Sequence, residues 1–462
     1  MKGETSDSMK TIVFGCGKIG EALVEALVAE GHDVLAIDAD ADVISQITNV
    51  YDVIGVCGNG ADCDTLEDAG IRQTGLFIAV TGSDELNMLS CFLARRMGAR
   101  HTIARIRNPE YNASSLDFLK KELQLSLAIN PELLAARELF DILKIPSAEK
   151  IDSFSGRSFE LVQLRVKEGS PLDGLMLSDL RSVISPRVLI CTVQRGDDVT
   201  IPGASFVLKA GDRIGVSASP SEIDAFLRQA GLEQKQVRSV MILGGSRTAY
   251  YLARMLAESG TAVKIIERDA AAAEELSEAL PGVSIVRGDG VQQELLLEEG
   301  LKSADAFIAL TGMDETNILI SIFASSQNVP KVIAKINRNE LSGMAERLGL
   351  ECVVSPKKLI SDILTQYARA LENSRGSSVE TLYKLMDDRV EALEFNAQST
   401  PGLTEIPLVE LKSRLKKGTL IAGIIRGRKT LVPGGNDCIM PGDRVIVLTE
   451  DRHFSDLSDI LQ

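Results

Sequence analysis

The residues Gly15-Cys16-Gly17-Lys18-Ile19-Gly20 follow the apolar run "TIVF" and lead into an amphipathic stretch. Each glycine of such a turn has its own task. Gly15 permits the sharp bend, Gly17 lets backbone N–H groups approach a pyrophosphate, and Gly20 lets a helix pack closely on a strand. The start of that helix adds partial positive charge. Asp38 closes the next apolar run, 18 residues after Gly20. A carboxylate there accepts both hydroxyls of an adenosine ribose and repels a 2′-phosphate, so the pattern selects NAD or an adenine nucleotide over NADP. The plain alternative is a tight strand-to-helix turn that binds nothing.

Ligands of open α/β sheets lie at the carboxyl ends of the strands. Gly58 and Asn59, after the third apolar run, are placed to meet an adenine edge, and Thr81 and Gly82, after the fourth, to meet phosphate or ribose. Arg105 on the fifth either neutralises phosphate or pairs with a helix carboxylate. Lys18 at the loop tip either reaches a phosphate or is solvated.

The elements that position these residues occur twice. "IVFGCGKIGEALVEALVAEGHDVLAID" recurs as "VMILGGSRTAYYLARMLAESGTAVKIIERD", with Gly15 matching Gly244 and Asp38 matching Glu267. "GLFIAVTGSDELNML" recurs as "DAFIALTGMDETNIL", and "RGDDVTIPGASFVLKAGDRIGVSAS" as "RGRKTLVPGGNDCIMPGDRVIVLTE". The shift stays between 229 and 231 throughout, so the chain is a tandem duplication of a two-part unit. The second copy retains Gly244 and Gly245 but carries Ser246, Arg247 and Thr248 next, and Ala249 in place of Gly20. The Cβ of Ser246 crowds the pyrophosphate path, and the remaining nucleotide candidates there are Glu267, Asp289, Thr311 and Lys335, with Arg247 offering a charge.

The first part of each unit alternates Val- and Ile-rich strands with helices, spanning 18–30, 40–48, 62–69 and 84–97 in the first copy. Such a pattern predicts a Rossmann-type parallel sheet covered on both faces. A long helical stretch, "LDFLKKELQLSLAINPELLAARELFDILKI", follows and breaks at Pro131; its counterpart breaks at Pro356. The stripe Leu86, Leu89, Leu93, Met97 reads as core or as a face for another subunit. The second part has short strands, "SFELVQLRV", "VLICTVQRG", "DVTIP" and "DRIGVSAS", split by Gly-Asp and Pro-Gly turns, and predicts a small α+β domain. The fold class is therefore α/β, two Rossmann-type domains each followed by a small α+β domain. The expected boundaries are an extension at 1–8, Rossmann-type domains with their following helix at 9–150 and 235–375, and small domains at 151–234 and 376–462. "LEQKQVRS" and "ENSRGSS" are the candidate linkers.

Composition narrows the function. The net charge of −15 repels nucleic-acid backbones and anionic lipid, so neither is an expected partner. No apolar run approaches the roughly 18 residues of a membrane-spanning helix, and no export signal is evident. Seven cysteines without a C-x-x-C pair read as reduced thiols acting as small core residues in a cytoplasmic protein. Asp38, Asp40 and Asp42 read as a solvated helix start, and no metal site is expected. A hydride-transferring enzyme needs an acid or base near the hydride. Of the three histidines, His32 and His101 fall at the wrong end of the sheet and His453 near the C-terminus. No catalytic residue is assigned, and a soluble NAD-dependent oxidoreductase remains the alternative to a sensor.

In "GCGKIG" with "AID", "GNGADCDTLEDAG", "AVTGSDELNML", "IARIRNPEY" and the paired "PGxxxxxxxGDR" turns, the sequence resembles the RCK (regulator of K⁺ conductance, or KTN) family, and over its length the tandem members that regulate Trk potassium uptake systems. The resemblance implies a cytoplasmic, non-enzymatic regulatory subunit of tandem RCK-N and RCK-C domains. It implies a ring, mostly a homotetramer, attached at the inner membrane face through a membrane-embedded Trk potassium-translocating subunit, with no lipid anchor of its own. NAD(H), and ATP or ADP, would bind the RCK-N sites and change the ring's shape. By that match Gly15 to Gly20, Asp38, Thr81, Gly82 and Arg105 carry the first site.

Overall fold

The computed structural model of the protein describes residues 9–111, 113–154, 159–373, 379–386, 389–400, 402–427, 429–450, 454 and 456–462. The expected extension at 1–8, His453 and most of "ENSRGSS" lie outside them. Six parallel strands, β1 (Thr11–Phe14), β2 (Val34–Asp38), β3 (Ile54–Cys57), β4 (Leu76–Ala79), β5 (His101–Arg105) and β6 (Leu127–Ile129), form the first sheet. Their order is β3-β2-β1-β4-β5-β6, the doubly wound arrangement with its switch point between β1 and β4. Every residue of β1 and of β4 is buried, which is why these strands show no polar alternation. Met9, just ahead of β1, is buried in the same core.

Five antiparallel strands follow: β7 (Lys150–Phe154), β8 (Phe159–Arg165), β9 (Leu189–Arg195), β10 (Asp198–Thr200) and β11 (Arg213–Ala218), ordered β10-β9-β11-β8-β7. The pattern repeats. A second parallel sheet holds β12 (Ser239–Leu243), β13 (Ala262–Glu267), β14 (Ser284–Arg287), β15 (Ala306–Ala309), β16 (Lys331–Lys335) and β17 (Val353–Val354), in the order β14-β13-β12-β15-β16-β17. A second antiparallel sheet holds β18 (Val379–Leu385), β19 (Val390–Asn396), β20 (Thr419–Arg426), β21 (Lys429–Leu431) and β22 (Arg444–Thr449), in the order β18-β19-β22-β20-β21. The two antiparallel sheets share a core in which Phe159, Leu161 and Cys191 meet Leu385, Ala392 and Leu448.

Three departures from the sequence reading have physical causes. The stretch read as helix up to Pro131 contains β6, whose three residues pair with β5. A strand that short carries too little periodicity to be recognised. Pro131 starts a new helix, capped by the Asn130 Oδ1, which accepts the Leu133 N–H at 2.9 Å. Second, in helix Asp84–Met97 the buried face is Asp84, Asn87, Met88, Cys91 and Ala94, and Leu89 is 50% exposed. Small and polar residues face the sheet because Asp84 and Asn87 bind loops there, so Leu86, Leu93 and Met97 pack at the edge of the core and Leu89 alone of the stripe turns outward. Third, Cys57 and Cys63 are exposed, while Cys16, Cys91, Cys191 and Cys352 are core residues.

The helices after the two Rossmann-type sheets change places. Helix Pro131–Lys144 lies on helix Arg247–Glu258, burying Ala136, Leu139, Ile142 and Leu143 in the core of the second half. Helix Pro356–Asn373 lies on helix Lys18–Ala29, burying Ile360, Leu364 and Ala368 in the first, with the Ser361 hydroxyl donating to the Ala22 carbonyl at 2.9 Å. Each buried Leu or Ile contributes ~1.5–3 kcal/mol, so neither half can release its partner's helix without exposing a core.

A cleft between two glycine elbows

At the first elbow Gly15 has φ +90°, and a Cβ there would stand 2.7 Å from the Thr81 amide nitrogen. The loops after β1 and β4 thus meet across the switch point as closely as backbones allow. A Cβ on Gly20 would lie 2.0 Å from the Gly15 carbonyl oxygen, whereas one on Gly17 would meet nothing within 4 Å. Gly17 caps helix Lys18–Ala29 without any side-chain bond, so the first N–H groups of that helix face open space. Asp38 accepts the Cys16 N–H at 2.6 Å and the Asp40 N–H at 3.0 Å, which fixes its carboxylate beside the elbow with lone pairs left for a ribose. Asp40 in turn caps the next helix by accepting from Asp42.

Beyond β4, the Thr81 hydroxyl donates to the Asn87 Oδ1 at 2.7 Å and the Thr81 N–H to the same oxygen at 2.9 Å. Asn87 Nδ2 donates to the Arg105 carbonyl at 2.9 Å. Arg105 itself donates to the Thr81 carbonyl at 2.7 Å, and its buried Nε has no partner among the described residues. No carboxylate is ion-paired with it among those residues. Burial first, and the Arg107 charge next, pull its pKa below the usual guanidinium value.

The second half faces the first across a cleft of about 1410 Å³. Lys18, Arg105 and Arg107 line one wall, and Arg247, Lys335 and Arg338 the other, and Glu132, Asp314 and Glu315 line the same cleft. Burial also depresses Lys335, and Lys18 adds to that effect. Desolvated cations crowded in this way gain most from an anion with several acceptor oxygens.

The second elbow repeats much of the first. Gly244 has φ +96°, Glu267 accepts the Gly245 N–H at 2.5 Å, and Thr311 and Asn317 make the same bonds as Thr81 and Asn87. A separate cavity of about 340 Å³ is lined by Gly244, Gly245, Ser246, Glu267, Asp289 and Thr311 among others.

Gly15, Gly17, Lys18, Ile19, Asp38, Asn59, Thr81, Gly82 and Arg105 converge on the large cleft, joined by Ser246, Arg247, Thr248 and Lys335 of the second half. Three of the candidates act from beneath. The Cys16 side chain is buried, which pushes its thiol up to about 12, Gly20 seats the helix, and Gly58 packs on Thr65. The cap atoms that set the loops, Asn87 and Asn317, were not singled out in the sequence. Neither were Asp84, which accepts the Arg107 and Asn108 N–H groups at 2.7 Å each, and Asp314, which holds Asn337 and Arg338 likewise at 3.0 Å. Their signal was the recurrence of Asp and Asn three and six positions after Thr81 and Thr311. His32 and His101 stand at the amino ends of β2 and β5, away from the cleft.

Known proteins share this plan. Models described as "TrkA-N domain" match residues 11–131 and 240–356, and those described as "TrkA-C domain" match 161–231 and 394–462. The chain is 31% identical over 456 residues to the "Trk system potassium uptake protein TrkA homolog" of Archaeoglobus fulgidus, covering 98% of this chain and 100% of that one. It is 31% identical over 461 residues to the "Trk system potassium uptake protein TrkA" of Vibrio alginolyticus, covering 98% and 99%. Among solved structures it is similar in fold to "GsuK channel bound to NAD", with TM-score 0.63 at 19% identity over 97% of this chain and 78% of that one. It is also similar to "Crystal structure of the GsuK bound to ADP", with TM-score 0.51 at 15% identity over 80% and 71%. Two glycine elbows, two exchanged helices and full-length likeness to these relatives place the chain in the TrkA family, as a tandem of TrkA-N and TrkA-C domains.

Proposed function

We propose that the chain is the regulatory subunit of a Trk-type potassium uptake system, that it binds NAD(H), or ATP or ADP, in the cleft, and that it passes a change of shape to a membrane-embedded potassium-translocating subunit. One observation carries this reading. Both exchanged helices begin in the cleft, at Pro131 and Glu132 and at Pro356 and Lys357, and run from there beneath the opposite half. The second also packs on β18 of the last sheet. A ligand whose phosphates draw the two basic walls together therefore moves helices rooted in all parts of the chain. Such a ligand shifts the equilibrium only as far as it favours the closed shape over the open one.

The NAD-bound and ADP-bound GsuK structures, similar in fold, and the Trk potassium uptake proteins, similar in sequence, support the same ligands and transport system. Self-association, as a homotetramer, is supported by apolar side chains left exposed at matching positions in the two halves: Leu89 (50%) and Leu319 (66%), Phe118 (64%) and Leu348 (55%). No described helix is long and apolar enough to cross a membrane, so attachment to the cytoplasmic face runs through the protein partner. The cleft holds cations and carboxylates suited to gripping a coenzyme, and its role is binding rather than turnover.

The test is potassium flux through co-reconstituted pore and subunit while NAD, NADH, ATP and ADP are varied. Flux that follows nucleotide, with no NADH consumed, is the expected result. Flux indifferent to all four overturns the proposal.

A further inference from the structure

We infer that Ser246, together with Ala249, closes the second elbow to a pyrophosphate, so that each chain holds one dinucleotide, on the Gly15 elbow, and accepts in its second half an adenosine or adenosine monophosphate. This rests on the nucleotide reading of the first elbow. The two elbows allow a direct comparison because their caps share one backbone conformation, φ −67° and ψ −167° at Gly17 against φ −69° and ψ 164° at Ser246. The difference lies in the side chain. The Ser246 hydroxyl accepts the Ala249 N–H at 3.3 Å, which is the donor that an anion at the helix start would need. At Gly17 the same donors remain uncapped, and the space that a side chain would fill is empty to 4 Å.

The second elbow also stands further off. Where a Cβ on Gly20 would approach the Gly15 oxygen to 2.0 Å, Ala249 carries one. Correspondingly, the ideal Cβ of Gly244 would be 3.0 Å from the Thr311 amide, against 2.7 Å for Gly15 and Thr81. Its cavity adjoins the common cleft at Ser246, Gly312 and Met313, the residues that both spaces share. Its lining carries two carboxylates, Glu267 and Asp289, and one cation, Arg268, a balance that suits ribose hydroxyls and one phosphate at most.

Calorimetric titration of the full chain with NAD tests the inference. One NAD per wild-type chain is expected, with the NAD-saturated chain still taking up one AMP, and two NAD per chain in S246G/A249G. Two NAD per wild-type chain, no AMP uptake, or a double variant that stays at one would overturn it while leaving the nucleotide reading intact. No heat with NAD, ATP or ADP on the wild type would instead sink that reading itself. The converse variant Gly17→Ser, which has room to fold, is expected to weaken NAD binding at least tenfold at unchanged melting temperature. Unchanged affinity in that variant also overturns the inference.

Discussion

The Tyr251 hydroxyl and the Asn130 carboxamide, 121 residues apart in the chain, meet at 3.0 Å, with Asn130 donating to Tyr251 and Tyr251 donating in turn to the Arg107 carbonyl at 3.1 Å. Asn130 caps the first exchanged helix and Tyr251 sits in the helix that receives it. The pair therefore ties the end of β6 to the opposite elbow. Tyr251→Phe leaves the Asn130 amide and the Arg107 carbonyl with only their own long contact of 3.4 Å and is expected to cost about 1–2 kcal/mol. A fall in the urea midpoint, together with weaker nucleotide binding from a looser cleft, would register it.

Gly20→Ala is expected to lose nucleotide binding in the first half, because its methyl cannot share space with the Gly15 carbonyl. Moving the helix to relieve the overlap costs ~1–3 kcal/mol. Calorimetry with NAD and a melting curve would separate the two effects.

Arg105→Ala is expected to weaken ligands in order of the charge they bring to the cleft, ATP more than NAD, by about tenfold or more, which is ~1.4 kcal/mol. Arg105→Lys retains charge but loses the Thr81 carbonyl contact that aims the side chain. Equal losses for ATP and adenosine would count against a phosphate role.

Stability should depend on pH through Glu138. This residue of the first exchanged helix lines a cavity of about 400 Å³ with Lys150, Lys358, Asp362 and Lys384. Burial above all raises its carboxyl from the usual 4.5 to about 7; Lys150 opposes this, and Asp152, Asp362 and Asp141 add to it. The charged form is the disfavoured one, so wild type loses stability as pH climbs from about 4.5 to 7. Glu138→Gln, which cannot ionise, should match wild type below that window and exceed it at pH 8, on the order of 1–3 kcal/mol. Chemical denaturation at the two pH values is the measurement.

Glu30→Gln tests how the first half is fastened to the last. The Glu30 carboxylate, 4% exposed, pairs with Arg369 of the second exchanged helix and with Lys384 of β18 at 2.7 Å, while Arg369 also reaches Glu391 at 3.2 Å. Removing the shared acid leaves two partly buried cations with one partner between them, at a cost of up to ~3–5 kcal/mol. Glu391→Gln, by contrast, leaves Glu30 to serve both.

Much of this molecule was legible in the chain. The likeness of segments 229 to 231 positions apart determined the duplication, and local pattern determined the strand–helix alternation, the glycine elbow and its acid, since each of these depends on residues within about twenty positions of one another. Short pieces such as β6 were not legible, because three residues hold no period. The tertiary structure decided what depends on distant residues meeting: the exchange of helices between halves, the single cleft in which Lys18 and Arg105 face Lys335 and Arg247, and the outward turn of Leu89. Amphipathic helices Pro131–Lys144 and Pro356–Asn373 each present an apolar face that either half could cover. The hydrophobic effect has no direction of its own, so which core receives each face is settled only when the whole chain packs.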